Sequence, residues 1–112
     1  MSGITTHVLD IGAGTPAQGI AVRLDKLAGT GWDRISERVT DPNGRVDDLH
    51  LGPQVPKGLY RITFATRPYF HGKGAPTFYP EVHVMFEVGD PAQHYHVPLL
   101  LSAYGYSTYR GS

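Results

Sequence analysis

Chain-breaking residues decide most of what this sequence can become. It holds 14 glycines and 9 prolines in 112 residues, so a breaker falls at about every fifth position. That density leaves little room for long helices, and the breakers separate short runs rich in β-branched and aromatic residues. Within the runs, apolar residues recur at every second position, the period of a strand with one buried face. In 81–88, Val82, Val84, Phe86 and Val88 alternate with mostly polar neighbours. In 59–64, Tyr60, Ile62 and Phe64 share one face while Arg61 and Thr63 share the other. The stretch 20–25 repeats the pattern and 5–11 follows it more weakly. With 32–39, 45–49, 94–101 and 104–109, about eight strands are expected.

The connections carry turn chemistry. Asp41-Pro42-Asn43-Gly44 combines a proline that sets φ with an Asn-Gly pair that tolerates positive φ. The stretches 12–19 and 52–58 read as loops, and Gly89-Asp90-Pro91 closes a strand. One short helix is expected between Pro68 and Gly74. Many short strands and little helix point to an all-β sandwich of two sheets more than to a barrel. No repeat or linker divides the chain, so residues 1–112 are expected to form a single domain.

Composition excludes several functions. Ten Lys and Arg balance ten Asp and Glu, which leaves no electrostatic footprint for nucleic acid or an anionic membrane. Without cysteine there is no disulfide framework, thiolate zinc site or thiol nucleophile. The longest apolar run, 97–101, contains a proline and falls far short of the ~20 residues that span a bilayer. The opening Met1-Ser2-Gly3-Ile4-Thr5-Thr6-His7 lacks the basic and apolar parts of a secretion leader, and the chain end is not a peroxisomal signal. A cytoplasmic location is the expectation.

Gly12-Ala13-Gly14 lacks the third glycine of a dinucleotide loop, and neither a phosphate-binding loop nor a nucleophile elbow is present. The informative ionisable residues are six histidines: His7, His50, His71, His83, His94 and His96. Period-two geometry puts His94 and His96 on one side of a strand, with Pro98 and Leu100. Tyr95, Val97, Leu99 and Leu101 form the opposite, core-facing side. His7 likewise shares a face with Thr5 and Leu9, while Val8 points the other way. A strand histidine on an outer face is ordinarily just a solvated polar residue. The sharper reading is a general base, because imidazole titrates near neutral pH. A His94-x-His96 metal site with His83 or His7 is a third reading, weakened by the absence of a partner carboxylate or cysteine at a familiar spacing.

Arg45 follows the Asn43-Gly44 turn, where an arginine is usually solvated. Its fork of donors also suits a planar, oxygen-rich ligand. Tyr104, Tyr106 and Tyr109 crowd the last nine residues, a composition expected of a docked tail and not of a frayed one. Tyr60, Phe64, Val84, Phe86 and Trp32 read as packing.

Four segments together resemble the transthyretin-related proteins: Thr5-Thr6-His7-Val8-Leu9-Asp10, Thr40-Asp41-Pro42-Asn43-Gly44-Arg45, Phe78-Tyr79-Pro80-Glu81-Val82 and His94-Tyr95-His96-Val97-Pro98-Leu99-Leu100-Leu101-Ser102. The ending Tyr104-Gly105-Tyr106-Ser107-Thr108-Tyr109-Arg110-Gly111-Ser112 looks like the signature of their enzymatic branch, the 5-hydroxyisourate hydrolases. The likeness runs nearly end to end, and its last four residues are the most specific part.

The resemblance implies a sandwich of two four-stranded sheets with one short helix. It also implies a homotetramer, a dimer of dimers with ligand sites in the channel between dimers. Its site residues map onto His7, Arg45 and His96 as the catalytic set, and onto Tyr109, Arg110, Gly111 and Ser112 for substrate binding. No cofactor and no metal are implied, and His94 stands behind this set. The implied reaction opens the ring of 5-hydroxyisourate, giving 2-oxo-4-hydroxy-4-carboxy-5-ureidoimidazoline in urate degradation. Which of His7 and His96 activates the water stays open, as does the role of Ser112 against its terminal carboxylate. The rival reading is a non-catalytic carrier that holds a small hydrophobic ligand in the same channel.

Overall fold

Alternating apolar residues produce two sheets, packed face to face. The protein's computed structural model describes residues 2–112; Met1, which opens the expected domain span and the N-terminal stretch read for a leader, lies outside the described residues. Among these residues the order is β1 (Ser2–Asp10), β2 (Thr15–Pro16), β3 (Ala21–Ala28), β4 (Gly31–Val39) and β5 (Arg45–Gly52). Then come β6 (Gly58–Phe64), α1 (Thr66–Gly72), β7 (Val82–Val88), β8 (His94–Ser102) and β9 (Gly105–Thr108). All eight stretches read as strands from the sequence form strands.

One sheet runs β4-β3-β6-β7; the other runs β2-β1-β8-β9, with β5 also paired to β1. The second sheet thus has five strands where four were expected. The extra strand is only Thr15–Pro16, which meets Leu9 and Asp10, whereas β5 pairs with β1 from Ser2 to His7. Both use the same edge of β1, because β8 occupies the other edge from Gly3 to Asp10. Where the turn before Arg45 carries β5 away, the Val8 carbonyl accepts instead from the Ala17 N–H.

The core lies where the period-two pattern places it. Ile4, Val8, Leu99 and Leu101 come from one sheet and Val22, Leu24, Ile62 and Phe64 from the other, all fully buried. Tyr60 and Phe86, register partners on the neighbouring strands β6 and β7, stack with ring centroids 5.8 Å apart, and the Arg61 guanidinium covers the Trp32 ring. These aromatics are packing residues, as their positions predict.

The helix begins at Thr66, two residues before the expected start. Its first turn tolerates Pro68, because the leading N–H groups of a helix have no intrahelical partner to lose. The Thr66 hydroxyl donates to the Tyr79 carbonyl and anchors that turn. Among the described residues no helix is long and apolar enough to cross a membrane.

Candidate active site

The pairing of β1 with β8 is parallel and joins distant parts of the chain: Gly3 faces His94, Thr5 faces His96 and His7 faces Pro98. On the other edge of β1, His7 faces Arg45. Three strands therefore bring the imidazoles and the guanidinium onto one outer face. Tyr95, Val97, Leu99 and Leu101 are buried on the inner face of β8, while His94 is exposed and His96 half-buried outside, as alternation predicts.

A turn and a bulge aim β5 at this face. Gly44 closes the turn by donating its N–H to the Asp41 carbonyl, and its φ of 75° is one that other residues rarely adopt. The Asp41 carboxylate accepts from the backbone N–H groups of Asn43 and Arg45, which holds the start of β5. Between Ile4 and Thr6 the β1–β5 register shifts, so that Thr5 opposes an irregular stretch of β5. Bulges of this kind re-aim side chains beside functional sites. Val46 and Leu49 are accordingly the buried residues of that stretch, three positions apart instead of two.

The result is a cleft of about 520 Å³ lined by Gly3, Thr5, Arg45, Asp47, Leu51, His94, His96 and Ser112. Of the residues expected at the site, Arg45, His96 and Ser112 meet in it directly. His7 stands beside Arg45 in register and near enough to His96 to oppose its protonation. Burial first, and then the charge of Arg45 with smaller contributions from His94 and His7, hold the His96 pKa below its ordinary 6.5; Asp47 acts in the opposite sense. His96 is thus unprotonated at neutral pH and able to accept a proton.

The tail divides between two places. The Gly111 N–H donates to the His96 carbonyl at 2.7 Å, which carries Ser112 into the cleft. A Cβ at Gly111 would lie 2.5 Å from His96 Cδ2, so only glycine fits against the ring. Arg110 turns away: its guanidinium stacks 4.6 Å from the Tyr95 ring centroid and donates to Gln93 Oε1 at 2.6 Å. Tyr109 and Arg110 line a separate groove of about 230 Å³ at the sandwich edge, with Val84, Phe86 and Tyr95. The tail backbone is docked, as its composition suggests, although Tyr104 and Tyr109 stay largely exposed.

Sequence reasoning passed over Thr5, Asp47 and Leu51 as site residues. Thr5 Oγ1 lies 2.7 Å from His96 Nδ1 and 3.1 Å from His94 Nε2, bridging the two rings. The signal was the shared face of Thr5 and His7; what it lacked was the strand that pairs with them. Among the described residues, no group of three or more His, Asp or Glu side chains is placed to hold a metal ion.

A two-sheet sandwich with histidines, an arginine and the docked Ser112 on one outer face has the architecture of the transthyretin-related proteins. The chain belongs to the HIUase/Transthyretin family, whose sequence profile matches residues 4–111. It is 47% identical over 109 residues to a probable 5-hydroxyisourate hydrolase of Caenorhabditis elegans, covering 97% of this chain and 80% of the worm protein. The 5-hydroxyisourate hydrolase of Klebsiella pneumoniae superposes with a TM-score of 0.88 at 35% identity, covering 100% of both chains. Sea bream transthyretin, solved with thyroxine, superposes with a TM-score of 0.90 at 33% identity, covering 96% of this chain and 93% of that one. A hydrolase and a thyroxine-bound transthyretin thus share this backbone, and the side chains on the outer face must tell them apart.

Proposed function

We propose that this chain, as one domain over residues 1–112, is a 5-hydroxyisourate hydrolase that yields 2-oxo-4-hydroxy-4-carboxy-5-ureidoimidazoline. The observation that carries the reading is the convergence of Arg45, His96 and Ser112 on one cleft, with His96 held neutral. Neutral His96 takes a proton from water through Nε2 as the oxygen attacks the ring carbonyl. Arg45 then stabilises the oxyanion; donors in that role are typically worth ~10²–10³ in rate. His7, next to Arg45, orients the planar ring, and the Ser112 terminus closes the cleft around it. Arg110 secures the tail from the neighbouring groove, and Gly111 sets it against His96. A carrier of hydrophobic ligands would favour apolar and small residues here, and this polar, proton-active face argues against that reading.

The same reading takes the assembly as a homotetramer, a dimer of dimers with the clefts facing one another across a channel. Each sheet ends in an edge strand, β7 in one and β9 in the other, which flank one groove, and unpaired edges invite pairing with a second copy. Light scattering should report four times the 12.3 kDa chain mass; a monomer would remove the channel from the proposal.

The direct test generates hydroxyisourate with urate oxidase and follows its ultraviolet decay with and without this protein. Faster decay is expected, and it should disappear with His96→Asn. An unchanged decay would refute the assignment.

A further inference from the structure

Resting on the hydrolase reading of the cleft, we propose that Thr5 and His94 form a proton relay behind His96, with His94 holding the proton taken from water. The geometry is a line of three groups. His96 Nδ1 lies 2.7 Å from Thr5 Oγ1, which lies 3.1 Å from His94 Nε2. Thr5 is buried, and both contacts are fixed by strand pairing: Thr5 is the register partner of His96, and Gly3 that of His94. The His94 ring packs over Gly3, where a Cβ would rest in ordinary contact 3.6 Å from His94 Nδ1 and would crowd the His50 carbonyl at 3.0 Å.

A hydroxyl carries one proton, so between two neutral rings it donates to one and accepts from the other. His96 acts as a base through Nε2 only when its own proton sits on Nδ1. That Nδ1–H then donates to Thr5, and the Thr5 hydroxyl donates to His94 Nε2. Both tautomers are set by a single hydroxyl.

The bookkeeping of the step follows from this arrangement. Water gives a proton to His96 Nε2 and its oxygen bonds to the ring carbonyl carbon. The His96 Nδ1 proton passes to Thr5 as the Thr5 proton passes to His94 Nε2. His96 is again neutral, now protonated on Nε2, and His94 is the cation. When the carbon–nitrogen bond breaks, the Nε2 proton goes to the leaving nitrogen and the relay runs backwards, restoring all three groups. The water is thereby split between the new carboxyl and the released nitrogen.

Charge explains why the proton should move on. The groups bearing on His96 are Arg45 and Asp47 from β5, His7 from β1 and His94 from its own strand, and all but Asp47 oppose a cation there. His94 is exposed, so a proton stored on it is solvated by water while His96 stays neutral beside Arg45.

The experiment measures kcat, KM and the pH profile of the full chain with hydroxyisourate generated in place, for Thr5→Val, Thr5→Ser, His94→Asn and the Thr5→Val/His94→Asn double variant. Thr5→Val is expected to lower kcat about 10- to 100-fold with KM within about twofold, less than the ~10²–10⁴ of a whole general base because His96 itself is kept. Its acidic limb should move to lower pH, because the His96 cation loses its acceptor at Nδ1. Thr5→Ser should stay within about threefold of the parent. His94→Asn should match Thr5→Val, and the double variant should be no slower than either, the non-additivity of groups acting as one unit. Because His94 is exposed, His94→Asn folds whatever becomes of Thr5→Val. Parental kcat in His94→Asn, or multiplying losses in the double variant, would overturn the relay alone. A parent protein without activity would overturn the hydrolase reading beneath it.

Discussion

The phenol of Tyr69 donates a 2.7 Å hydrogen bond to Asp10 Oδ2, tying the helix to the end of the first strand. Lys73 reaches the same oxygen at 3.3 Å, and the Ala13 N–H donates to Oδ1 at 2.9 Å. Burial works against the charge of Asp10, but these three hydrogen bonds outweigh it and hold the pKa below the ordinary 3.8. A carboxylate depressed in the folded state adds stability that is full above its unfolded pKa and lost as pH falls through the folded value. Asp10→Asn should therefore cost about 1–3 kcal/mol at pH 7, the scale of disrupting a buried charged hydrogen-bond site. The difference between the two proteins should shrink below about pH 4. Urea unfolding at pH 7 and pH 3 checks both statements, and an equal difference at the two values would contradict the linkage.

Arg45 has two effects on the cleft, and a single variant separates them. As a donor to the oxyanion, its loss in Arg45→Ala should lower kcat by roughly 10²–10³. As a cation that opposes protonation of His96, its loss should raise the His96 pKa. The acidic limb of kcat/KM, which reports the free enzyme's base, should then move upward in pH toward ordinary imidazole. A limb that stays in place would show that His96 is not the titrating base.

Gly44 is constrained twice, by its positive φ and by the Val8 carbonyl, which a Cβ would overlap. Gly44→Ala should destabilise the fold by at least ~1 kcal/mol. It should also lower activity more than stability predicts, since the same turn places Arg45. Circular dichroism melting and the decay assay, run on one preparation, give the two numbers to compare.

Gly111 offers a change confined to the site. A methyl group there collides with the His96 ring, so Gly111→Ala should displace Ser112 and raise KM at least tenfold, with the melting temperature within about 2 °C of the parent. Deleting residues 109–112 should do the same and also expose the groove beside Tyr95. An active truncated protein would remove the tail from the cleft.

Strand identity was legible because burial on one face imposes a period of two, and 81–88 or 94–101 show it without help from neighbours. The outward faces of His7, His94 and His96 followed from the same rule. The helix start was misjudged because Pro68 reads as a beginning, yet a first turn accepts proline as well as a preceding residue does. The fifth strand, Thr15–Pro16, carries no periodicity at all; it exists because β5 leaves the edge of β1 free beside Leu9.

Local pattern alone settled which residues alternate, where the chain turns and which side chains face outward, because those depend on backbone geometry within a few residues. The four quoted segments and the chain ending carried the family likeness, again without coordinates. What tertiary structure decided was who meets whom: that β1 lies parallel to β8, that Thr5 therefore lies between His94 and His96, and that Arg110 and Ser112 leave for different grooves. Pairing of strands distant in the chain is set by the combined packing of both sheets, and no stretch of sequence read singly contains it.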